Sequence, residues 1–319
     1  MMYFEVLSPG LFTTLQDEGR FGFEDQGVPP SGAMDELSFA VANALVGNPA
    51  NTGALEITLL GPTLRLAGDR PCHFAVTGNL AATLNGRPCA PYRCHEMQPG
   101  SVLALGRVIS GARGYLAVAG GFAVAPVLGS VSTLMRAGLG GFAGRPLQKN
   151  DHLPLVDAPT APPYQGAAAR IMPQMEKRPI RIIWGPQDTH FDAAAKAGFI
   201  EQRYTLSNQS DRMGYRLQGQ PIAHSKGFNI VSDAIARGSI QIPGNGLPIV
   251  AMSDRQTTGG YPKIATVIRA DLARLGQLKP GDRLQFEPVS IEKAETLWCG
   301  RQQALAQWLE KLRGGQADA

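Results

Sequence analysis

Between Tyr3 and Ala119 the apolar residues come in short β-branched or aromatic runs, each cut off by glycine, proline or asparagine, and this punctuation constrains the chain more than any other feature. The runs are Tyr3 to Leu7, Phe12 to Gln16, Leu55 to Leu60, Thr63 to Leu66, His73 to Thr77, Ala82 to Leu84, Ser101 to Leu105 and Arg113 to Ala119. Asn85-Gly86 is a strong signal for a two-residue hairpin turn. One helical period stands out, about Met34 to Val46, with Met34, Leu37, Val41 and Leu45 on one face, Ser31 as candidate N-cap and Gly47-Asn48 as stop. With 38 glycines, 24 prolines and 7% aromatics, many tight turns between short strands are expected. A barrel or sandwich fits better than an alternating βαβ sheet.

The second half repeats the style. Prolines at 159, 162, 163, 173 and 179 resist helix and sheet alike, so residues 157–179 read as a Pro/Ala-rich linker between a β-barrel lobe over 1–156 and another over 180–289. The second lobe opens on a strand, Ile180 to Gln187, after which Asp188 is expected to cap a helix carrying Phe191, Ala194, Ala195 and Phe199. Later strands are Ser239 to Ile242, Leu247 to Met252, Ile264 to Ile268 and Arg283 to Phe286. The end, 290–319, holds an amphipathic helix with Ile291, Ala294, Trp298, Leu305, Trp308 and Leu312 at helical spacing, expected to pack on the second lobe. Met97 to Leu105 echoes Leu278 to Phe286, a hint of duplicated barrels.

Composition narrows the function classes. A net charge of +4 with no long basic run gives no nucleic-acid footprint. The four cysteines form no C-x-x-C pair and Cys94-His95-Glu96 fits no zinc spacing, so no metal site is expected. Met1 to Glu5 lacks the basic and apolar regions of a signal peptide, which points to a cytoplasmic setting. The charge-free stretch Gly114 to Met135 is long enough for a bilayer, but its glycines and Pro126 make it a buried barrel segment. Gly138-Leu139-Gly140-Gly141-Phe142-Ala143 has dinucleotide spacing without the flanking strand and helix, and there is no P-loop or G-x-S-x-G.

The densest chemistry lies in Ile249 to Ile268, which reads as a hairpin-like element holding Arg255, Gln256, Thr257, Thr258, Gly259, Gly260, Tyr261 and Lys263 on a stiff base. The glycine pair can take positive φ and bare its N–H groups, giving an anion pocket with Arg255 and Lys263; the other reading is a solvated turn. Similar loops occur at Gln16, Asp17 and Arg20, at Ser31, Gly32 and Asp35, and at Ser207 to Leu217 with Asp211 and Arg212. If they meet at one groove they could hold a small carboxylate or amide; equally, the arginines could pin loops to carbonyls.

Those motifs, with Val28-Pro29-Pro30-Ser31-Gly32-Ala33-Met34-Asp35, Leu55 to Pro62, Gly114 to Gly121, Ser210 to Leu217 and Gln256 to Lys263 in this order, resemble the allophanate hydrolase subunit 2 family. It is also called the biotin-dependent carboxyltransferase subdomain A/B family, and includes the C-type component of the bacterial ATP-dependent 5-oxoprolinase. The resemblance implies a mainly β chain of two cyclophilin-like β-barrel lobes with a few peripheral helices. It implies a kinase-inhibitor-like B-type subunit and an A-type subunit as partners, with ATP used by the complex to open 5-oxoproline to glutamate. Fused relatives form the carboxyltransferase part of urea carboxylase, and a non-catalytic antagonist that binds the kinase-inhibitor-like partner is a further possibility. On this reading Lys263, Arg212 and Asp211 are catalytic, and Gln16, Asp17, Arg20, Ser31, Arg255, Gln256, Thr257, Thr258, Gly259, Gly260 and Tyr261 bind substrate.

Overall fold

The computed structural model describes residues 2–157 and 178–313; most of the expected linker lies outside them. The chain is mainly β, in curled and nearly closed sheets, with four α-helices among the described residues. It divides into two compact units. Unit 1 comprises Met1–Arg20, Ser31–Gln174 and Leu305–Ala319, and unit 2 comprises Phe21–Pro30 and Met175–Ala304.

Unit 1 contains β1 (Tyr3–Ser8), β2 (Phe12–Gln16), α1 (Glu36–Leu45), β3 (Ala54–Thr58), β4 (Thr63–Ala67), β5 (Cys72–Leu84), β6 (Arg87–Cys89), β7 (Cys94–Met97), β8 (Val102–Val118) and β9 (His152–Pro154). Its sheet runs β2-β3-β8-β4-β1-β9, with β5 pairing β6, β7 and β8. The runs read separately as His73 to Thr77 and Ala82 to Leu84 are one strand, β5, and those at Ser101 to Leu105 and Arg113 to Ala119 are one strand, β8. Glycines that look like terminators in sequence are bends inside these strands. At Gly78, φ is +81° and a Cβ would sit 2.5 Å from the Arg113 carbonyl oxygen, so no other residue fits where β5 crosses β8. Register shifts on both sides of Asn79 mark the same bend. Asn85 and Gly86 both take positive φ between the paired residues Leu84 and Arg87, which is the hairpin the sequence predicts.

The charge-free segment from Gly114 is explained by burial on both faces. Leu116 and Val118 enter the core with Phe4, Ile57, Leu66 and Phe74, while Tyr115 and Ala117 face α1 residues Phe39, Ala42 and Leu45. No helix of the described residues is long and apolar enough to cross a membrane. The N-cap of α1 is Asp35 rather than Ser31: its carboxylate accepts the Leu37 and Ser38 amides at 3.1 and 3.0 Å and the Ser38 hydroxyl at 2.7 Å. Ser31 instead adopts φ +59° five residues before the helix.

Unit 2 contains β10 (Ile180–Trp184), α2 (Ala193–Glu201), β11 (Tyr204–Leu206), β12 (Gly214–Gln218), β13 (Asp233–Ala234), β14 (Ser239–Gln241), β15 (Ile249–Ala251), β16 (Thr258–Gly259), β17 (Lys263–Val267), α3 (Arg269–Gly276), β18 (Arg283–Leu284) and β19 (Phe286–Pro288). The main sheet runs β18-β11-β12-β15-β14-β17-β10-β19, antiparallel except for β10 with β19. A separate ribbon pairs β13 with β16. Phe199, Tyr204 and Phe286 form the aromatic centre, with the Phe199 and Phe286 rings stacked at 4.9 Å.

Three expectations are corrected here. Ile249 to Ile268 is not a hairpin: β15 and β17 both pair with β14, which lies between them, because Ile240 supplies the buried neighbour that Val250 and Ala265 share in register. Asp188 begins a single 3-10 turn, and α2 is capped by Asp192, whose carboxylate accepts the Ala195 amide at 2.8 Å. The terminal helix α4 (Ile291–Arg313) has its last turns in unit 1, where Trp308 and Leu312 are buried with α1. Only its first part counts with unit 2, where Arg269 stacks on Trp298 and Arg301 donates to the Ala270 carbonyl.

Sequence reading missed α3 altogether. What holds it is a buried ion cluster: Arg181 donates to Asp271 through its backbone N at 2.8 Å, Nε at 3.0 Å and Nη2 at 2.5 Å, and Arg274 adds a contact at 3.3 Å. Burial pushes the Asp271 carboxyl up, but the Arg181 hydrogen bonds and both guanidinium charges outweigh it and hold the group below the usual carboxylate range. The stability this contributes is complete above the ordinary carboxylate pKa and is lost as pH falls through the lowered value. Asp271→Asn is therefore expected to lower unfolding stability by about 3 kcal/mol at neutral pH. Urea titrations of the two proteins should converge as pH falls below the ordinary carboxylate range.

Candidate functional site

In unit 1 the polar residues at the end of β2 are held by one another. Asp17 is buried, and its Oδ1 accepts the Gly19 amide at 2.8 Å, the Ser130 hydroxyl at 2.7 Å and the Ser132 hydroxyl at 2.5 Å, while Oδ2 accepts the Val131 amide at 2.7 Å. A carboxylate so engaged anchors the 130–132 loop. Arg20 donates to the Val127 carbonyl at 3.5 Å and to the Ser132 carbonyl, so here the arginine pins a loop to carbonyls. Gln16 donates to the Thr14 hydroxyl at 3.0 Å and the Thr133 carbonyl at 3.2 Å. Gln16 Oε1 and Ser31 Oγ are buried without a hydrogen-bond partner among the described residues.

The stretch around Ser31 and Asp35 is held by a network that sequence reading did not single out. Glu56 of β3 accepts the Tyr115 hydroxyl and the Met34 amide, both at 2.7 Å, and the Tyr115 hydroxyl accepts the Asp35 amide at 2.8 Å. Arg113 lies 3.6 Å from the other Glu56 oxygen. Burial pushes the Tyr115 phenol well up, and the Glu56 and Asp35 charges add to it, so it stays a donor.

In unit 2 the predicted residues separate into three groups. Arg212 is forked onto Asp254, with Nε and Nη2 each 3.0 Å from a carboxylate oxygen and both side chains buried. Its charge is thus matched inside the protein, which revises the expectation that it faces a ligand. Asp211, read as catalytic, is an exposed turn residue whose Oδ1 accepts the Met213 and Gly214 amides at 2.8 and 3.2 Å. Arg255 donates from Nε to the Ile235 carbonyl at 2.8 Å; burial lowers its pKa, the Arg237 charge adds to this and Glu24 opposes it.

Lys263 is different. It is 2% exposed at the start of β17, yet its ammonium donates at 2.6 Å to Asp233, whose side chain is 48% exposed. Gln187, at the end of β10, holds both partners: its amide donates to Asp233 Oδ2 at 3.1 Å and its carbonyl oxygen accepts the Lys263 amide at 3.2 Å. The Lys263 hydrogen bond is the main cause that holds the Asp233 carboxyl below its usual range. A buried cation reaching solvent through a half-exposed carboxylate is an arrangement open to exchange with an outside anion.

The ribbon of β13 and β16 brings Thr257 and Thr258 to this place, since Asp233 is in register with Gly259 and Ala234 with Thr258. Side chains of Gln256, Thr257 and Thr258 make no hydrogen bond among the described residues, and Tyr261 is exposed. Gly259 and Gly260 do not take positive φ, contrary to expectation. Gly259 serves by its bare Cα: a Cβ there would lie 2.7 Å from Ile235 Cδ1 and 2.8 Å from Gln241 Nε2.

Residues 26–288 match the family described as carboxyltransferase domain, subdomain A and B. The chain belongs to this family. Its members include a protein from Escherichia coli (strain K12) named as the C-type component of 5-oxoprolinase, 40% identical over 91% of this chain and 92% of its own length. A protein of the same name from Haemophilus influenzae is 39% identical, over 92% of this chain and 93% of its own. The solved structure of K. lactis urea amidolyase superposes with a TM-score of 0.88 at 33% identity, covering 95% of this chain and 20% of that one. Family members are thus named both as one component of a multi-chain enzyme and as part of a far longer chain.

The two ion pairs of unit 2 should respond differently to mutation. Asp254→Ala, which removes a buried carboxylate from Arg212, is expected to lower unfolding stability by about 3 kcal/mol. Lys263→Met, whose partner is half in water, should cost only about 1 kcal/mol. Chemical denaturation of both variants reads the order, and the reverse order would make Lys263 the structural member.

Proposed function

We propose that this chain is the C-type component of an ATP-dependent 5-oxoprolinase, acting with a kinase-inhibitor-like B-type subunit and an A-type subunit to open 5-oxoproline to glutamate. The supporting observation is the near end-to-end match to two proteins of that name, 91% of this chain against 92% of the E. coli protein. A urea enzyme, by contrast, is matched over only a fifth of its length. ATP is a co-substrate of the assembled complex on this reading. 5-Oxoproline offers a carboxylate and a lactam carbonyl. Lys263 suits the carboxylate, or the phosphoryl charge of an activated form, and the Thr257 and Thr258 hydroxyls suit the carbonyl. Asp211 and Arg212 take supporting parts, as a turn anchor and as the partner of Asp254.

The reconstituted complex of this chain with its A-type and B-type partners is expected to release glutamate from 5-oxoproline only with ATP present, and to stop when this chain is omitted. Lys263→Ala should lower the rate by roughly 100-fold while the melting temperature stays nearly unchanged. Equal release without this chain would sink the assignment. The structural match to K. lactis urea amidolyase favours a second reading, the carboxyltransferase component of a biotin-dependent urea or amide carboxylase. Biotin-dependent transfer of CO₂ to urea by the assembled proteins would select it.

A further inference from the structure

The strand β14 carries a glutamine that no sequence motif marks. Gln241 is 9% exposed, lies between the core residues Ile240 and Ile242, and its Nε2 has no hydrogen-bond partner among the described residues. A buried amide left without a partner costs about 1–3 kcal/mol, so its presence asks for a reason. Its surroundings supply one. Gln241 is directly opposite Lys263 in the β14–β17 register. Gln241 Nε2 lies beside the bare Cα of Gly259, where a methyl group would approach it to 2.8 Å. Gly259 is in turn opposite Asp233, whose carboxylate takes the Lys263 ammonium. Register, close approach and ion pair thus place four residues from four strands around one spot. Two of them are donors with capacity to spare. The ammonium has three N–H groups and uses one on Asp233, and the glutamine amide has two and uses none.

We infer that Gln241 Nε2 and Lys263 Nζ form a carboxylate-binding subsite, in which Asp233 holds the place of the ligand's carboxylate until one arrives. A ligand carboxylate bridges the two donors, and Asp233, half in solvent on a two-residue strand, turns out to water. The exchange keeps one negative charge beside the buried cation, whereas a second carboxylate beside Asp233 would be repelled. Gly259 is required because any side chain there fills the space next to the amide. Ligands of this class are small monocarboxylates. The inference deepens the 5-oxoprolinase reading, on which the carboxylate would be that of 5-oxoproline, but it concerns carboxylate recognition alone.

Propionate separates the two claims, because it has the carboxylate without the lactam. Titrated into the full-length protein and followed by NMR, it should shift the Gln241 side-chain amide and the Gly259 backbone amide saturably. Gln241→Met is expected to weaken that binding roughly tenfold, the loss of one charge-assisted hydrogen bond, without lowering the melting temperature. Asp233→Asn removes the competitor and should tighten binding by roughly threefold or more. Should Gln241→Met fold poorly, Gly259→Ala keeps φ in its present region and must weaken propionate binding as well. Equal affinity in wild type and the Gln241 or Gly259 variant, weaker binding in Asp233→Asn, or no saturable shift in wild type overturns the subsite. If these shifts appear as expected but the reconstituted complex releases no glutamate, the 5-oxoprolinase reading fails and the subsite stands.

Discussion

A sheet curled until its middle strands are covered on both faces gives a polar side chain no water to fall back on, so each one that enters must find its partner inside. The described structure obeys this constraint at considerable length. Asp17 collects four donors, Glu56 collects Tyr115 and Met34, Asp254 takes the Arg212 fork and Asp271 takes Arg181. These groups lie where loops meet strands, and they fix loops that backbone pairing alone does not reach. Against that background the unpartnered amide of Gln241 and the half-exposed partner of Lys263 stand apart. A protein that satisfies its interior this thoroughly leaves donors open where something else is meant to complete them.

The same contrast separates charge that supports the fold from charge that can act. Arg212, Arg255 and Lys263 all lie in or beside sequence motifs of the same polar kind. Their fates differ through burial of the partner: Asp254 is enclosed with Arg212, Arg255 is tied to a backbone carbonyl, and Asp233 stands at the surface. Only the last arrangement offers a cation whose counter-ion can leave without stranding a charge in a dry interior.

Strand runs were legible because alternation and β-branching survive in sequence; β2 has the predicted bounds, and β1 and β4 extend theirs by a single residue. Less was legible where tertiary pairing overrides local cues. Gly78 and Gly111 look like breaks and are bends with positive φ inside long strands. β15 and β17 look like the arms of a hairpin, and β14, which precedes both in the chain, inserts between them. The short helix α3 follows β17 directly, and its fixing residue Arg181 lies 90 positions away. Among site residues the polar composition of 255–263 was visible, but Asp233 and Gln187 as partners of Lys263, and Gln241 beside it, depend on register that no local pattern encodes.

Chain order gives one of these pairings a consequence during synthesis. In unit 1, β1 is bonded to β9, with Tyr3 opposite Pro154, and the apolar layer over α1 is closed by Trp308 and Leu312. In unit 2, Ile180 pairs with Phe286. The first strand off the ribosome therefore waits for a neighbour some 150 residues behind it, and the α1 layer waits for nearly the last turn translated. Until the final helix clears the exit tunnel, the N-terminal half carries an uncovered hydrophobic shelf, a natural foothold for chaperones and a weak point for any nonsense mutation near the 3′ end of the message.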